Sequence, residues 1–326
     1  MLEHPLVTQE IQSQSEVEFP VPLNLPALPS IYRVTSLAAK MLSDRLFRCS
    51  ATLFHERASM KVCWYCRQPD VRIRPGMLVS PRWLIRQDCD IGALKISRLV
   101  LLETPVAMEN LFDLVPHGWV KDRTLIRQAA ALIEILPRSH RHLFNAVFWN
   151  GDRFRRYCNG PSSLAGHHDG ESGNFKHSIE VATLMSQHLG QRHPNQVAIG
   201  ILSGLLHDAG KADEYVLDIN GKWVLTDRGR LLGHRVTVIE WIAAAMSRYR
   251  ISLPSTHYMA LLHCLTSSQN APDWLGIRRP AMLAAMLLSD MDRLSGVGEL
   301  MHRCSQNLGW GKYHPHLRNI PYSVEN

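Results

Sequence analysis

The stretch QVAIGILSGLLHDAGKADEY, residues 196–215, decides the fold of the second part of this chain. Up to Leu206 it is almost wholly apolar, as expected of a helix buried on every side. His207 and Asp208 then follow side by side, with Ala209, Gly210 and Lys211 after them. Burying an unpaired carboxylate beside an imidazole at the end of such a helix costs several kcal/mol. A bound cation offsets that cost, so the order of residues points to metal chemistry. Asp208 is placed to bridge two ions, and Lys211 lies within about a turn of the pair, where its charge would meet a phosphate oxygen. A solvated lysine favoured by a helix C-terminus is the alternative for Lys211.

The flanking sequence is helical as well. FKHSIEVATLMSQHLG at 175–190 has Ile179, Val181, Ala182 and Met185 on one face. GHRVTVIEWIAAAMSRY (233–249), THYMALLHCLTSS (256–268) and RPAMLAAMLLSDMDRLSGVGELM (279–301) are three further helices. RTLIRQAAALIEIL (123–136) and HLFNAVFWNGDRFRRYC (142–158) precede them. A candidate ligand occurs on each of several separate helices: His177, His207 with Asp208, His234, His263 and Asp290. Side chains converging from rigid helices are how a buried ion is held. Imidazole and carboxylate together suit one or two of Mn²⁺, Fe²⁺, Co²⁺, Ni²⁺, Zn²⁺ or Mg²⁺. A lone helical histidine is more often a hydrogen-bonded core residue, and His188 and His257 are read that way.

The region before Leu102 has a different texture. LFRCSATLFHE and MKVCWYC are β-branched, aromatic and alternating, Pro75–Gly76 marks a turn, and ALKISRLVLLE closes the segment. SLAAKMLS at 36–43 is open to either a strand or a short helix. Short strands separated by turns suggest a small barrel or sandwich. The fold class expected is α+β: an OB-like small β-barrel at 29–106, a linker and helix at 107–135, and an all-helical domain at 136–312. A loose leader at 1–28 and a tail at 313–326 complete the division. In the front module Trp64, Tyr65, Arg72, Arg74 and Arg82 interleave rings with cations, as a single-strand-binding surface does. Core filling by the tryptophan and solubilisation by the arginines is the rival reading.

Composition sets limits. Apolar residues form 45% of the 326, as in a folded protein, and the formal charge of +7 favours acidic partners such as nucleic acid. Seven scattered cysteines do not form a secreted disulfide framework. Strand alternation points Cys63 and Cys66 to opposite faces, which disfavours a zinc site there. No apolar run approaches the roughly 20 residues of a membrane span and the start lacks a signal peptide, so a cytoplasmic protein with no membrane partner is expected. Self-association is left open.

The order H…HD…H…H…D resembles that of the HD-domain metal-dependent phosphohydrolases, an all-helical superfamily with one or two divalent ions. That resemblance makes His177, His207, Asp208 and Asp290 the core ligands, adds His234 and His263 for a second ion, and puts Lys211 beside the substrate phosphate. Pro161, the pair His167–His168, GNFKHS at 173–178 and LLHDAGK at 205–211, behind a strand-rich front module, are similar to the YhaM-type 3′–5′ exoribonucleases. A related His-His…Gly…His segment occurs in MobH-type (TraI-like) proteins of conjugative elements. His168 is followed here by Asp169, and GNFKH replaces a more apolar glycine-led segment. The resemblance implies a 3′–5′ exonuclease on single-stranded RNA or DNA. Apart from the resemblance, the glycine-rich loop around His167 and His168 and the cluster of Arg155 and Arg156 before it could meet phosphates together with Lys211, with an ordinary surface loop and a solvated helix face as the alternatives. Hydrolysis of small nucleotides (dNTP, monophosphate or cyclic dinucleotide) and a non-catalytic nucleic-acid-binding or conjugation-accessory role are the alternatives.

Overall fold

The computed structural model describes residues 28–84, 89–90, 92–164, 166, 168–305 and 308–324. Six strands come first: β1 (Tyr32–Ser43), β2 (Leu46–Phe54), β3 (Met60–Cys66), β4 (Leu78–Trp83), β5 (Cys89–Asp90) and β6 (Ala93–Leu101). SLAAKMLS is therefore strand, paired to β2 along its length. The order is β3-β2-β1-β4-β6-β5.

The OB-like small barrel expected here is corrected to a sharply curled mixed sheet. β1 joins β4 through Tyr32↔Val79 and Arg33↔Leu78 alone. β3 meets β6 in parallel through Val62↔Leu94 and Cys63↔Lys95 alone. Unequal strand lengths are the cause. From Ser36 onward β1 runs past β4 with β2 as an exposed ribbon, and an irregularity between Val34 and Ser36 bends it away. The ladders are thus continuous over the β1–β2–β3 and β4–β6 pairs, with short seams between them. Alternation was legible in the sequence; the seam lengths depend on partners distant along the chain.

The helical part starts within the expected linker. A short 3₁₀ turn at Leu111–Leu114 leads to α1 (Arg123–Ile135), α2 (Arg138–Phe148), α3 (Gly151–Asn159), α4 (Gly173–Leu189) and α5 (Pro194–Leu206). Asp122 caps α1 by accepting from the amides of Thr124 and Leu125, and Pro194 occupies a first-turn position where a missing N–H costs little. Next come α6 (Lys211–Glu214), a small hairpin of β7 (Tyr215–Leu217) and β8 (Trp223–Leu225), and α7 (Asp227–Leu231). Then follow α8 (Gly233–Tyr249), α9 (Ser255–Thr266) and α10 (Leu283–Cys304), with β9 (Gly309–Trp310) and β10 (Tyr322–Ser323) last. The two hairpins depart from the all-helical expectation.

α4 and α5 cross closely. A Cβ on Gly204 would lie 2.6 Å from the Ala182 Cα, so only glycine permits that approach. The crossing brings His177 of α4 next to the residues that end α5. Sheet and helices also share a core: Ile31 and Leu78 belong to the same buried cluster as Leu111, Phe144, Ile179 and Leu205. Arg33, fully buried on β1, donates to the Leu114 carbonyl at 2.6 Å and the Gly76 carbonyl at 2.7 Å. Most other buried residues of the sheet, Val34, Leu53, Val62 and Val79 among them, form a cluster of their own.

Candidate metal centre

His177, His207 and Asp208 converge. One ligand atom from each lies within 4.8 Å of the others, and all three residues are buried. The two imidazole Nε2 atoms are 3.2 Å apart, and each is 3.6 Å from Asp208 Oδ2. Among the described residues this metal-competent cluster contains no cysteine.

The orientation of the rings is fixed from behind. His207 Nδ1 is 2.8 Å from the Gly204 carbonyl, which only accepts, so this nitrogen carries a proton. Ser295 Oγ donates to Glu180 at 2.7 Å and therefore accepts from His177 Nδ1 at 3.0 Å. His234 Nδ1 faces the Glu214 carboxylate at 2.9 Å, and its Nε2 is 3.3 Å from Asp208 Oδ1. With Nδ1 protonated, a neutral imidazole has its lone pair at Nε2. Three such lone pairs thus face two oxygens of one carboxylate. Bare nitrogens directed at each other repel unless a cation or proton lies between them, and anchored Nδ1–H groups are the usual support of a metal-binding histidine. This donor set fits a divalent ion with imidazole and carboxylate ligands.

Charge is concentrated here. Burial works against ionising Asp208, but Lys211, His207, His234 and His177 overcome it and hold the carboxyl well below its usual range. Lys211 donates to Asp208 Oδ2 at 2.6 Å. Burial lowers the pKa of His177. Burial also opposes protonation of His207, yet Asp208 and Asp292 carry it above the ordinary value. A cavity of about 80 Å³ opens beside these groups, lined by His207, Asp208, His234, Ser289 and Asp292 among others.

Several expected residues are placed differently. Asp290 is exposed on α10. Asp292 occupies the site instead, with Oδ1 3.0 Å from His177 Nε2 and 3.7 Å from His207 Nε2. The inner face of α10 carries Ala285, Leu288 and Ser295, and Asp292 continues that spacing whereas Asp290 lies nearly opposite. His263 accepts from the Ala281 amide at 2.8 Å through Nε2, while the neighbouring Cys264 lines the cavity. His263 is thus rotated about one helical position out of the cluster.

His168 is buried, with Nε2 3.2 Å from Glu180 Oε2, so it supports the acid that orients Ser295 and does not face an open phosphate site. His167 lies outside the described residues. Arg156 donates to the Ala212 carbonyl at 2.8 Å and to Asp213 at 2.6 Å, anchoring α6, the short helix that Lys211 begins. Arg155 is exposed at a different cleft.

In the front sheet Trp64 belongs to the buried core, at the wall of a cavity of about 200 Å³. Arg72 is held by Asp70 and Glu103, each at 2.8 Å. Tyr65, Arg74 and Arg82 are exposed. Cys66 lies 3.5 Å, sulfur to sulfur, from Cys49, while Cys63 is fully buried.

Sequence reasoning missed Asp292, Glu180, Glu214 and Ser295. Two had a local signal: Glu180 is one helical turn after His177, and Asp292 shares the apolar period of α10.

No family model, no curated protein and no solved structure matches this chain. The likeness to YhaM-type exoribonucleases and MobH-type proteins is corrected accordingly. Its front half required a closed OB-like barrel, and the strands form a curled mixed sheet with two-pair seams. What the structure contains is a buried His-His-Asp cluster able to chelate a metal ion, consistent with metal-dependent hydrolytic activity in general. Among the described residues no helix is long and apolar enough to cross a membrane.

Proposed function

We propose that this chain is a metal-dependent phosphohydrolase whose substrate is the phosphodiester of single-stranded nucleic acid. The observation that carries the reading is the orientation of three imidazoles with Nδ1 anchored and Nε2 turned toward Asp208. His177, His207, Asp208 and Asp292 would hold one ion, and His234 with the second oxygen of Asp208 would hold another. Such an ion supplies a water of lowered pKa and charge on the phosphoryl oxygens.

The side chains have separate parts in this chemistry. Asp208 and Asp292 keep the centre anionic and so select a cation. Lys211 donates to Asp208 Oδ2 and lies against Ser162, and its ammonium would add positive charge beside a phosphate bound at the centre. Ser295, backed by Glu180, holds the proton on Nδ1 of His177, the Gly204 carbonyl that of His207 and Glu214 that of His234. Glu180 itself stays ionised, since His168 and Ser295 outweigh the effect of its burial.

The cavity at the centre is about 80 Å³, below the roughly 300–1,000 Å³ of a site that encloses a small organic molecule. The net charge of +7 agrees with a polyanionic substrate. The test is hydrolysis of end-labelled single-stranded RNA and DNA with Mn²⁺, Co²⁺, Ni²⁺, Zn²⁺ or Mg²⁺. We expect trimming with at least one metal and none by Asp208→Ala, which should also bind less metal. Conversion of a nucleotide panel with both strands left intact would transfer the assignment to small nucleotides.

A further inference from the structure

A second cleft, of about 590 Å³, lies where the sheet meets the first helices, with Phe54, Gly76, His117, Trp119, Asp152 and Arg155 in its lining. That volume is in the range of small-molecule sites. Rings and charge occur together in it. Phe54 and His117 meet edge to face with centroids 5.5 Å apart, and His117 is exposed while Trp119 is half-buried.

Behind Trp119 stands Arg33, its guanidinium carbon 4.7 Å from the indole centre and 5.4 Å from the Phe154 ring. Its hydrogen-bond partners are two carbonyls, its Nη2 has none, and no carboxylate is among them. Burial lowers its pKa to about 9, which still leaves it charged at neutral pH. A buried cation without a counter-ion biases the wall toward an anion, and in low dielectric that bias is strong. Arg155 adds an exposed cation to the lining, and among the described residues Asp152 is its one acid.

We propose that this cleft binds one nucleotide unit of a single strand, its base against Trp119 and His117 and its phosphate on Arg155. A π-face for any base with a cation for the backbone is the recurring solution for sequence-tolerant single-strand binding. The placement also connects to the centre. Arg155 and Arg156 are neighbours on α3, and Arg156 bonds Ala212 and Asp213, directly after Lys211. One short helix thus carries both a cationic residue of the cleft and an arginine that anchors the segment following the metal ligands. This inference gives substrate capture to the nuclease reading above and rests on it for biological sense, but its test does not need catalysis.

The experiment is fluorescence anisotropy with a labelled 12-nucleotide single-stranded DNA and its RNA counterpart, in EDTA so that nothing is cleaved. Arg155→Glu and His117→Ala, both at exposed positions, should weaken binding about tenfold and severalfold. Arg127→Glu, an exposed charge reversal on α1, controls for general electrostatics. Unchanged affinity in both cleft variants overturns the proposal, as does an equal loss in Arg127→Glu. Wild-type hydrolysis of bis-p-nitrophenyl phosphate with Mn²⁺ tests the metal centre separately. Loss of binding in the cleft variants without any such hydrolysis keeps the cleft and removes the metal-centre reading.

Discussion

At the scale of single residues, the centre is defined less by which groups are present than by which nitrogen each histidine presents. Ser295 matters because its hydroxyl, already committed as a donor to Glu180, can only accept from His177. Ser295→Ala removes that acceptor and frees the ring to rotate or change tautomer. Partners of this kind are worth about 10–100-fold in metal affinity or activity, and a loss of that size is expected from titration of Mn²⁺. The two aspartates of α10 make a sharper comparison. Asp292→Asn should reduce bound metal by more than about tenfold, whereas Asp290→Asn should leave it unchanged, as measured by elemental analysis of the purified proteins. The reverse result would mean that α10 is rotated by roughly half a turn from its position here.

At the scale of elements, the α4–α5 crossing sets the distance between His177 and the His207–Asp208 pair. Gly204→Ala places a methyl against the backbone of Ala182, and overpacking of this kind costs about 1–3 kcal/mol. A lowered unfolding midpoint with weakened metal binding is expected, because the helices can separate only by moving the ligands apart.

The contact of α2 with α9 gives a pH signature. His140, buried on α2 with its ring 5.1 Å from that of His257, has a pKa pushed down to about 4 by burial and by His257. The unfolded chain binds a proton near pH 6.5, so the folded form binds fewer protons between the two values. The stability His140 contributes is complete above about pH 6.5 and is lost as pH falls through about 4. The difference in thermal midpoint between wild type and His140→Asn should therefore narrow from pH 7 to pH 4. A constant difference would show that the imidazole is not held neutral.

At the scale of the molecule, the edge of the sheet shares the helical core, while most of its buried residues form a cluster of their own. Ile31 and Leu78 lie in the helical core, and Arg33 ties β1 to the Leu114 and Gly76 carbonyls. A single thermal transition is expected, seen alike by far-ultraviolet circular dichroism and by tryptophan fluorescence. Arg33→Ala leaves two carbonyls without their donor and removes packing from Trp119 and Phe154, so it should destabilise by about 3 kcal/mol or more while the single transition persists. Two separate transitions would show that the front sheet folds independently.

Much of the helical part and half of the centre were legible in the chain itself. The apolar period of residues 196–206, its end at His207–Asp208, and His177 on an apolar face are local patterns, and local patterns survive without knowledge of partners. The choice of Asp292 over Asp290 depended on the rotation of α10 against α4, across 115 residues of sequence. His263 was misplaced for the same reason, by about one helical position on α9. Trp64 faced inward because the sheet curls, and the curl ended in short seams because strands distant in sequence have unequal lengths. Periodicity thus determined the long helices and most of the front strands, and which helices carry metal-binding chemistry, while residues 36–43 and the two small hairpins had no decisive local pattern. Tertiary structure decided which side chains meet, since convergence depends on rotations and distances that no local pattern encodes.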